Sequence, residues 1–273
     1  MRVWELGPGR LMVAGAFSDL AVHHHPAVQV TFGGRGPITV NRADDSREEC
    51  RLVVIGGGTR HAVRSDSRSA AVSLYFGLQT PQGIALNTLS RNRIRYPGIW
   101  VLEDGRRLAE ATAASLAENG PHAAADFLVG QLVNQLCGVD EPRSVHPQLR
   151  QAIEVVSRQV PNHVDVASVA DAVALSPDYL GRLCKQQTGA SLSATIRWTR
   201  LVTAVGHLID GRSVTDAAHL AGFADGAHAN RVCWEMTGAA PRDFARAVRA
   251  SEDLTDPYKR SRRGRPTLGS WHR

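Results

Sequence analysis

No stretch of this chain approaches the roughly 18 consecutive apolar residues that a membrane-spanning helix needs. Residues 1–10 also lack an apolar run of signal-peptide length, so a cytoplasmic protein with no membrane partner is expected. Cysteine is scarce and scattered. Cys50, Cys137, Cys184 and Cys233 form no CxxC pair, which argues against a disulfide framework and a zinc–thiolate site and leaves reduced, mostly buried thiols. Charge is missing where it would be most informative. The chain carries net +6, but Lys259, Arg260, Arg262, Arg263, Arg265 and Arg273 against Asp256 put +5 of that in the last eighteen residues. Between 149 and 253, eleven Arg and Lys are balanced by eleven Asp and Glu. Net electrostatics therefore do not mark that region as a nucleic-acid binder, and any such case rests on pattern.

With 273 residues the chain is long enough for two domains, each with its own core. Up to about Trp100 it reads as short β-rich segments, such as 28–32, 38–41, 51–55 and 70–76, separated by Gly and Asp clusters. An antiparallel sandwich or barrel, 1–100, is expected. The texture then changes: 106–118 is rich in Ala and Leu, and 123–136 carries Phe127, Leu128, Leu132 and Leu136 at helical spacing. Two helices and a Pro-flanked linker at 138–146 would make up a segment 101–147, followed by an all-α domain over 148–250 and a basic, disordered tail over 251–273.

Within the all-α region the chain repeats itself. Residues 166–189 overlay 214–238, each copy a short helix, a tight turn and a second helix that ends in Thr-Gly. In the first copy Asp165 can cap one helix, and Ser176-Pro177 supplies the N-cap and first position of the next. In the second, Ser213 with Asp216 has capping-box form, Gly222-Phe223 makes the turn, and Asp225 caps the second helix. Gly189 and Gly238 are left-handed caps by position. Between the copies, 192–209 has no Pro and puts Ile196, Leu201, Ala204, Val205 and Leu208 on one side, as a connecting helix of about 27 Å would. Such a strut could hold two helices about one DNA turn, roughly 34 Å, apart, so that both enter successive major grooves.

These residues resemble the AraC/XylS family of transcription regulators. The resemblance is carried by Leu175-Ser176-Pro177-Asp178-Tyr179-Leu180 with Arg182-Leu183 and Lys185, by Arg200-Leu201, Gly222-Phe223 and His228 with Arg231, and by Thr237-Gly238-Ala239-Ala240-Pro241-Arg242-Asp243-Phe244. It implies a two-domain protein with an N-terminal cupin-like barrel followed by helices, and a C-terminal double helix-turn-helix. It also implies a homodimer that binds double-stranded DNA and contacts RNA polymerase, for instance as an activator. Arg182 and Arg231 match positions where family members point an arginine at DNA, with Asp178, Gly181, Gly226, Ala227 and Asn230 as the other early positions of the two helices and Lys185 near the end of the first. Arg can read guanine or neutralise phosphate, and Asn can read adenine. Cys233 and Trp234 stand where the family usually has an aromatic and a basic residue.

In the N-terminal half, His23-x-His25 with Gln29, then Gly58-x-x-His61, resembles the metal-binding pattern of cupins, with Gln29 in place of the usual Glu and Ser65 in place of the usual Asn. Alternate residues of a strand share a face, so His23 and His25 can point inward together while His24 faces out. Three imidazoles and an amide oxygen suit Zn, Ni, Co or Fe as an effector; a small organic ligand in the same pocket is the other expectation. The tail holds Arg263-Gly264-Arg265-Pro266, the core of a minor-groove element. A regulator rather than an enzyme is expected. The competing classes are a metal-dependent cupin enzyme with an appended helical domain and a ligand-independent DNA-binding repressor.

Overall fold

The computed structural model describes residues 1–255 apart from 8, 18–19, 67–69, 93–95 and 135–144. Leu136, Cys137, most of the expected linker, Arg263 and Arg265 lie outside the described residues. The N-terminal strands are β1 (Arg2–Glu5), β2 (Arg10–Gly15), β3 (Val28–Gly33), β4 (Ile38–Arg42), β5 (Arg47–Cys50), β6 (Leu52–Ile55), β7 (His61–Ser65), β8 (Ala71–Phe76) and, after helix α1 (Pro81–Arg91), β9 (Ile99–Val101). They form a large antiparallel sheet, β1-β2-β8-β3-β6-β9, and a small one, β5-β4-β7. Then come α2 (Gly105–Asn134), α3 (Pro147–Gln159), α4 (Val166–Ala172), α5 (Pro177–Thr188), α6 (Leu192–Ile209), α7 (Val214–Leu220), α8 (Gly226–Thr237) and α9 (Pro241–Thr255).

The centre of the large sheet is buried on both faces: every residue of β3, β6 and β8 is buried, and β6 reads as a continuous apolar run. Alternation sorts the residues. Val28, Val30, Phe32, Leu52, Val54, Leu74 and Phe76 face α1 and α2, where they meet Leu86, Leu128 and Leu132. Val53, Ile55 and Tyr75 face inward toward Val40 and Val63 of the small sheet. The polar residues Gln29, Thr31 and Ser73 share this inner face and bond to one another.

Two elements depart from the expectation. Helix α1 interrupts the strands: Thr80 caps it through the Gly83 amide and Pro81 opens it, although Gly83 and several polar residues weaken its apolar stripe. Helix α9 continues through Thr255, past the expected start of the tail, since no breaker occurs before Pro257. The paired helices expected after the barrel are present as α2, which changes direction at Gly120 (φ +83°) ahead of Pro121.

The repeat folds as two helix-turn-helix units, α4–α5 and α7–α8, joined by α6. Asp165 and Ser168 form a full capping box on α4. At α7 the Ser213 hydroxyl accepts from the Asp216 amide and donates to the Asp216 carboxylate at 2.7 Å. Ser176 and Asp225 cap α5 and α8, and Gly189 (φ +82°) and Gly238 (φ +67°) end them in the left-handed conformation. The two domains share a core. A single apolar cluster runs from Val40, Val63 and Tyr75 inside the sheets to Trp198, Leu201 and Leu208 of α6 and on to Phe223 and Met236. Cys50, Cys184 and Cys233 are buried, and burial pushes the Cys50 thiol up to about 11 and the Cys233 thiol up to about 12.

Candidate functional site

Helices α5 and α8 each span 12 residues, about 18 Å. In each, buried residues alternate with an exposed face: Leu180, Leu183 and Cys184 are inside α5, and Ala229, Val232 and Cys233 inside α8. The candidate DNA contacts fall on the exposed faces. Asp178 and Arg182 are exposed on α5 with Gly181 half-buried between them, and Gly226, Ala227, Asn230 and Arg231 are exposed on α8. Lys185 has a second engagement: its Nζ donates to the Gly189 carbonyl at 2.9 Å, covering the helix end. Two residues on these faces are not among the DNA contacts expected from the sequence. Tyr179 is 42% exposed and Trp234 45%, large aromatic surfaces without an intramolecular reason to be outside. Trp234 lies one turn beyond Asn230, along a groove shared with Gly226 and Arg242, and the spacing 226, 230, 234 is the signal that could have found it.

The histidines gather inside the barrel. His23 and His61 pair backbone to backbone as an antiparallel bridge, with N–O distances of 2.9 and 3.0 Å. His25 follows, and Gln29 reaches inward from β3. Ligand-capable atoms of His23, His25 and His61 all lie within 4.8 Å of one another. Each Nδ1 faces a backbone carbonyl: Ala21 at 2.8 Å for His23, Ala27 at 3.0 Å for His25 and Thr59 at 2.8 Å for His61. A carbonyl only accepts, so each Nδ1 carries the hydrogen and each Nε2 presents a lone pair. The His25 and His61 Nε2 atoms sit 3.0 and 2.9 Å from Gln29 Oε1, another acceptor, while the Gln29 amide nitrogen donates to Thr31 and Ser73. His23 Nε2 is buried with no partner. Contrary to the expectation, His24 is half-buried, because its segment lies against the second domain, where its amide donates to the Glu235 carbonyl at 3.4 Å. Ser65 Oγ accepts from the Phe17 amide at 3.0 Å.

Burial pushes the His25 imidazole down to about 3, with His23 adding to the effect and the acceptor oxygens of Gln29 and Ala27, which favour the protonated ring, opposing it. Burial likewise holds His61 well below the usual range and lowers His23. The folded protein therefore keeps a neutral His25 while the unfolded chain takes up a proton below about pH 6.5. Stability from this residue is complete above pH 6.5 and declines as pH falls toward 3. For metal-free protein, about 2 kcal/mol from His25 is expected to be lost between pH 7 and pH 5, read from urea unfolding at the two values. A loss that His25→Phe does not reduce would show that the acid sensitivity comes from other groups.

A family model described as a helix-turn-helix domain matches residues 169–247, from within α4 to within α9. The arabinose operon regulatory proteins of Salmonella typhimurium and Escherichia coli are 32% and 29% identical to this chain over 127 residues. The C-terminal domain carries a helix-turn-helix domain, and the chain is similar over part of its length to these regulators. The matched stretch is 44% of this chain and 44% and 43% of those proteins, so the chain spans less than half the length of the curated relatives it matches. Over the whole molecule the fold is that of ToxT from Vibrio cholerae: TM-score 0.60 at 11% identity, covering 89% of this chain and 99% of that one. An unsaturated fatty acid-bound ToxT structure gives 0.57 at 12% identity over 89% and 96%. In the helix-turn-helix domain the exposed faces of α5 and α8 carry the candidate DNA contacts, and the C-terminal helix ends, at Gly189 and Gly238, meet the N-terminal domain. Among the described residues no helix is long and apolar enough to cross a membrane.

Proposed function

We propose that this protein is a DNA-binding transcription regulator that reads two successive major grooves with α5 and α8 and is controlled by a divalent transition-metal ion held by His23, His25, His61 and Gln29. The regulator half of the reading rests on the helix-turn-helix domain and on two exposed helix faces, each with an arginine, joined by a rigid helix of 18 residues. Contact with RNA polymerase and assembly as a homodimer would complete such a regulator.

The metal half rests on one observation: three buried imidazoles, locked in the tautomer that frees Nε2, converge with an amide oxygen and no hydrogen-bond donor among them. A cation is what such a donor set lacks. Nitrogen and neutral oxygen ligands suit Zn, Ni, Co or Fe(II), and with no carboxylate the charge of the ion stays uncompensated by its ligands. Turned over, the Gln29 amide would donate to both rings and accept from the Thr31 and Ser73 hydroxyls, so the site can also stand empty at modest cost. His23 Nε2 gains a partner only when an ion is present.

Thermal unfolding with Zn(II), Ni(II), Co(II) and Fe(II) tests this. Metal at about 100 times its Kd contributes about 2.7 kcal/mol, a rise on the order of 5–10 °C for a chain of this size. The rise is expected for wild type and absent from His25→Ala/His61→Ala. No shift with any ion would sink the metal reading. An organic effector is then the alternative, favoured by a cleft of about 240 Å³ between the domains, edged by Lys185 and Arg197. ToxT, with the same fold, has been seen with an unsaturated fatty acid bound. Turnover of an organic substrate by the metal-loaded protein would point to the enzyme class instead.

A further inference from the structure

Each histidine-bearing segment bears on a different part of the DNA reader. The His23 segment packs on the end of α8. A Cβ added at Gly238 would lie 2.7 Å from the Ala21 carbonyl oxygen and 3.1 Å from His23 Nδ1, so only glycine lets the two backbones meet. The His25 ring lies 5.0 Å, centroid to centroid, from Trp198 in α6. The loop leading to His61 packs on the end of α5: Gly57 and Gly58 sit against the Thr188 and Gly189 carbonyls, again with no room for a side chain. Asn87 ties this last junction together. Its Oδ1 accepts from the Gly57 amide at 2.9 Å, and its Nδ2 donates to the Gln187 carbonyl at 3.3 Å. The Gly58 amide donates to the His25 carbonyl at 2.8 Å, linking two of the segments.

Resting on the metal reading above, we infer that occupancy of the histidine site is transmitted to both recognition helices at once, by fixing the three sensor segments that brace the C-caps of α5 and α8 and the middle of α6. The caps are the ends of α5 and α8 remote from their N-terminal DNA-facing turns, so each helix is a short rod braced at one end by the sensor and free to meet DNA at the other. One ion held by the three imidazoles would immobilise the segments that carry them. Those loops have no side chains at Gly57, Gly58, Gly189 or Gly238 to cushion the contact, so restraint on one side is restraint on the other. The differential interaction that any ligand-driven switch requires is then located: an ion binds best to the arrangement in which all three segments are seated, and that arrangement has one spacing between the recognition helices.

Hydrogen exchange of the full chain, read by mass spectrometry with Zn(II) and with EDTA, tests the inference without knowledge of the operator. Native mass spectrometry on the same samples establishes whether one ion is bound. With an ion bound, exchange is expected to slow roughly fivefold or more in peptides covering 185–191 and 234–240, as well as in those covering 21–33 and 53–63. In Asn87→Ala, which keeps all four ligands, the ion should still bind and still protect 234–240, while protection at 185–191 is lost. One ion bound with protection confined to 21–33 and 53–63 would overturn the inference and leave the metal site standing. No ion bound, with the chain intact, would overturn both, and native mass spectrometry separates that case from the other.

Discussion

Replacing Trp198 with alanine is expected to cost the protein about 3–5 kcal/mol of stability, the range for removing a large aromatic from a close-packed interior. Trp198 is 3% exposed. It belongs to α6 in the DNA-binding domain, yet its ring neighbours are His25 and Tyr75 of the barrel, at 5.0 and 5.6 Å. The residue therefore plugs the junction where the apolar interior of the sheets becomes the apolar core of the helices. Its indole Nε1 has no hydrogen-bond partner, so the loss is one of packing and not of a polar contact. Because the two cores are fused there, wild-type protein should unfold in one transition and the variant in two, as the domains part company. Urea unfolding followed by near- and far-ultraviolet circular dichroism reads both. Where the alanine variant does not fold, Trp198→Phe keeps a ring in the gap and should show the same effect at smaller size. A loss under about 1 kcal/mol with a single transition would mean that the domains are not coupled through this residue.

That coupling was invisible in the sequence, and the reason is physical. The caps, turns and strut of the DNA-binding domain are local: Ser176-Pro177, Asp225, Gly189, Gly238 and the apolar side of 192–209 declare themselves through neighbours within one or two turns, and the structure has them at the expected positions. Leu180, Leu183 and Val232 are buried as the helical spacing requires, and Phe223 is buried in the turn. The histidine cluster could be read from a resemblance that placed His61 beside His23 and His25; strand alternation was not the reason, since residues 23–25 lie outside the named strands and only His23 makes an isolated bridge. What alternation cannot give is the lone-pair arithmetic at Gln29, which depends on hydroxyls from Thr31 and Ser73, one of them on a separate strand. Helix α1 was missed because Gly83 and its polar residues blur the periodic signal, although Thr80-Pro81 marks its start. Alternation puts His24 toward solvent, but its segment is not a strand and its amide meets the Glu235 carbonyl of α8, a contact between residues far apart in the chain. Contacts such as Gly57 on Thr188 join residues far apart in the chain, where periodicity carries no information.

Removing both Arg182 and Arg231 as alanines is expected to weaken DNA binding by about 2–6 kcal/mol, since each arginine that pairs with a base edge is worth roughly 1–3 kcal/mol. The measurement is a titration against the duplex that wild-type protein selects from a random pool, at several salt concentrations. The two residues occupy equivalent exposed positions in the first half of α5 and of α8, on units separated by a helix of 18 residues, about 27 Å. At that separation their losses should add to within about 0.5 kcal/mol. The salt series separates the two ways an arginine can act. A phosphate contact lowers the slope of log K against log salt by about one per residue and weakens all sequences alike, whereas a base contact leaves the slope and relaxes the preference at one position. Additivity is the informative part. If Arg231→Ala alone changes nothing while Arg182→Ala abolishes binding, only α5 reads DNA, and the second unit, where Cys233 is buried and Trp234 exposed, serves as a brace. Equal and additive losses would mean that α5 and α8 lie in their two grooves together, and that the spacing fixed at Gly189 and Gly238 is the quantity on which operator recognition depends.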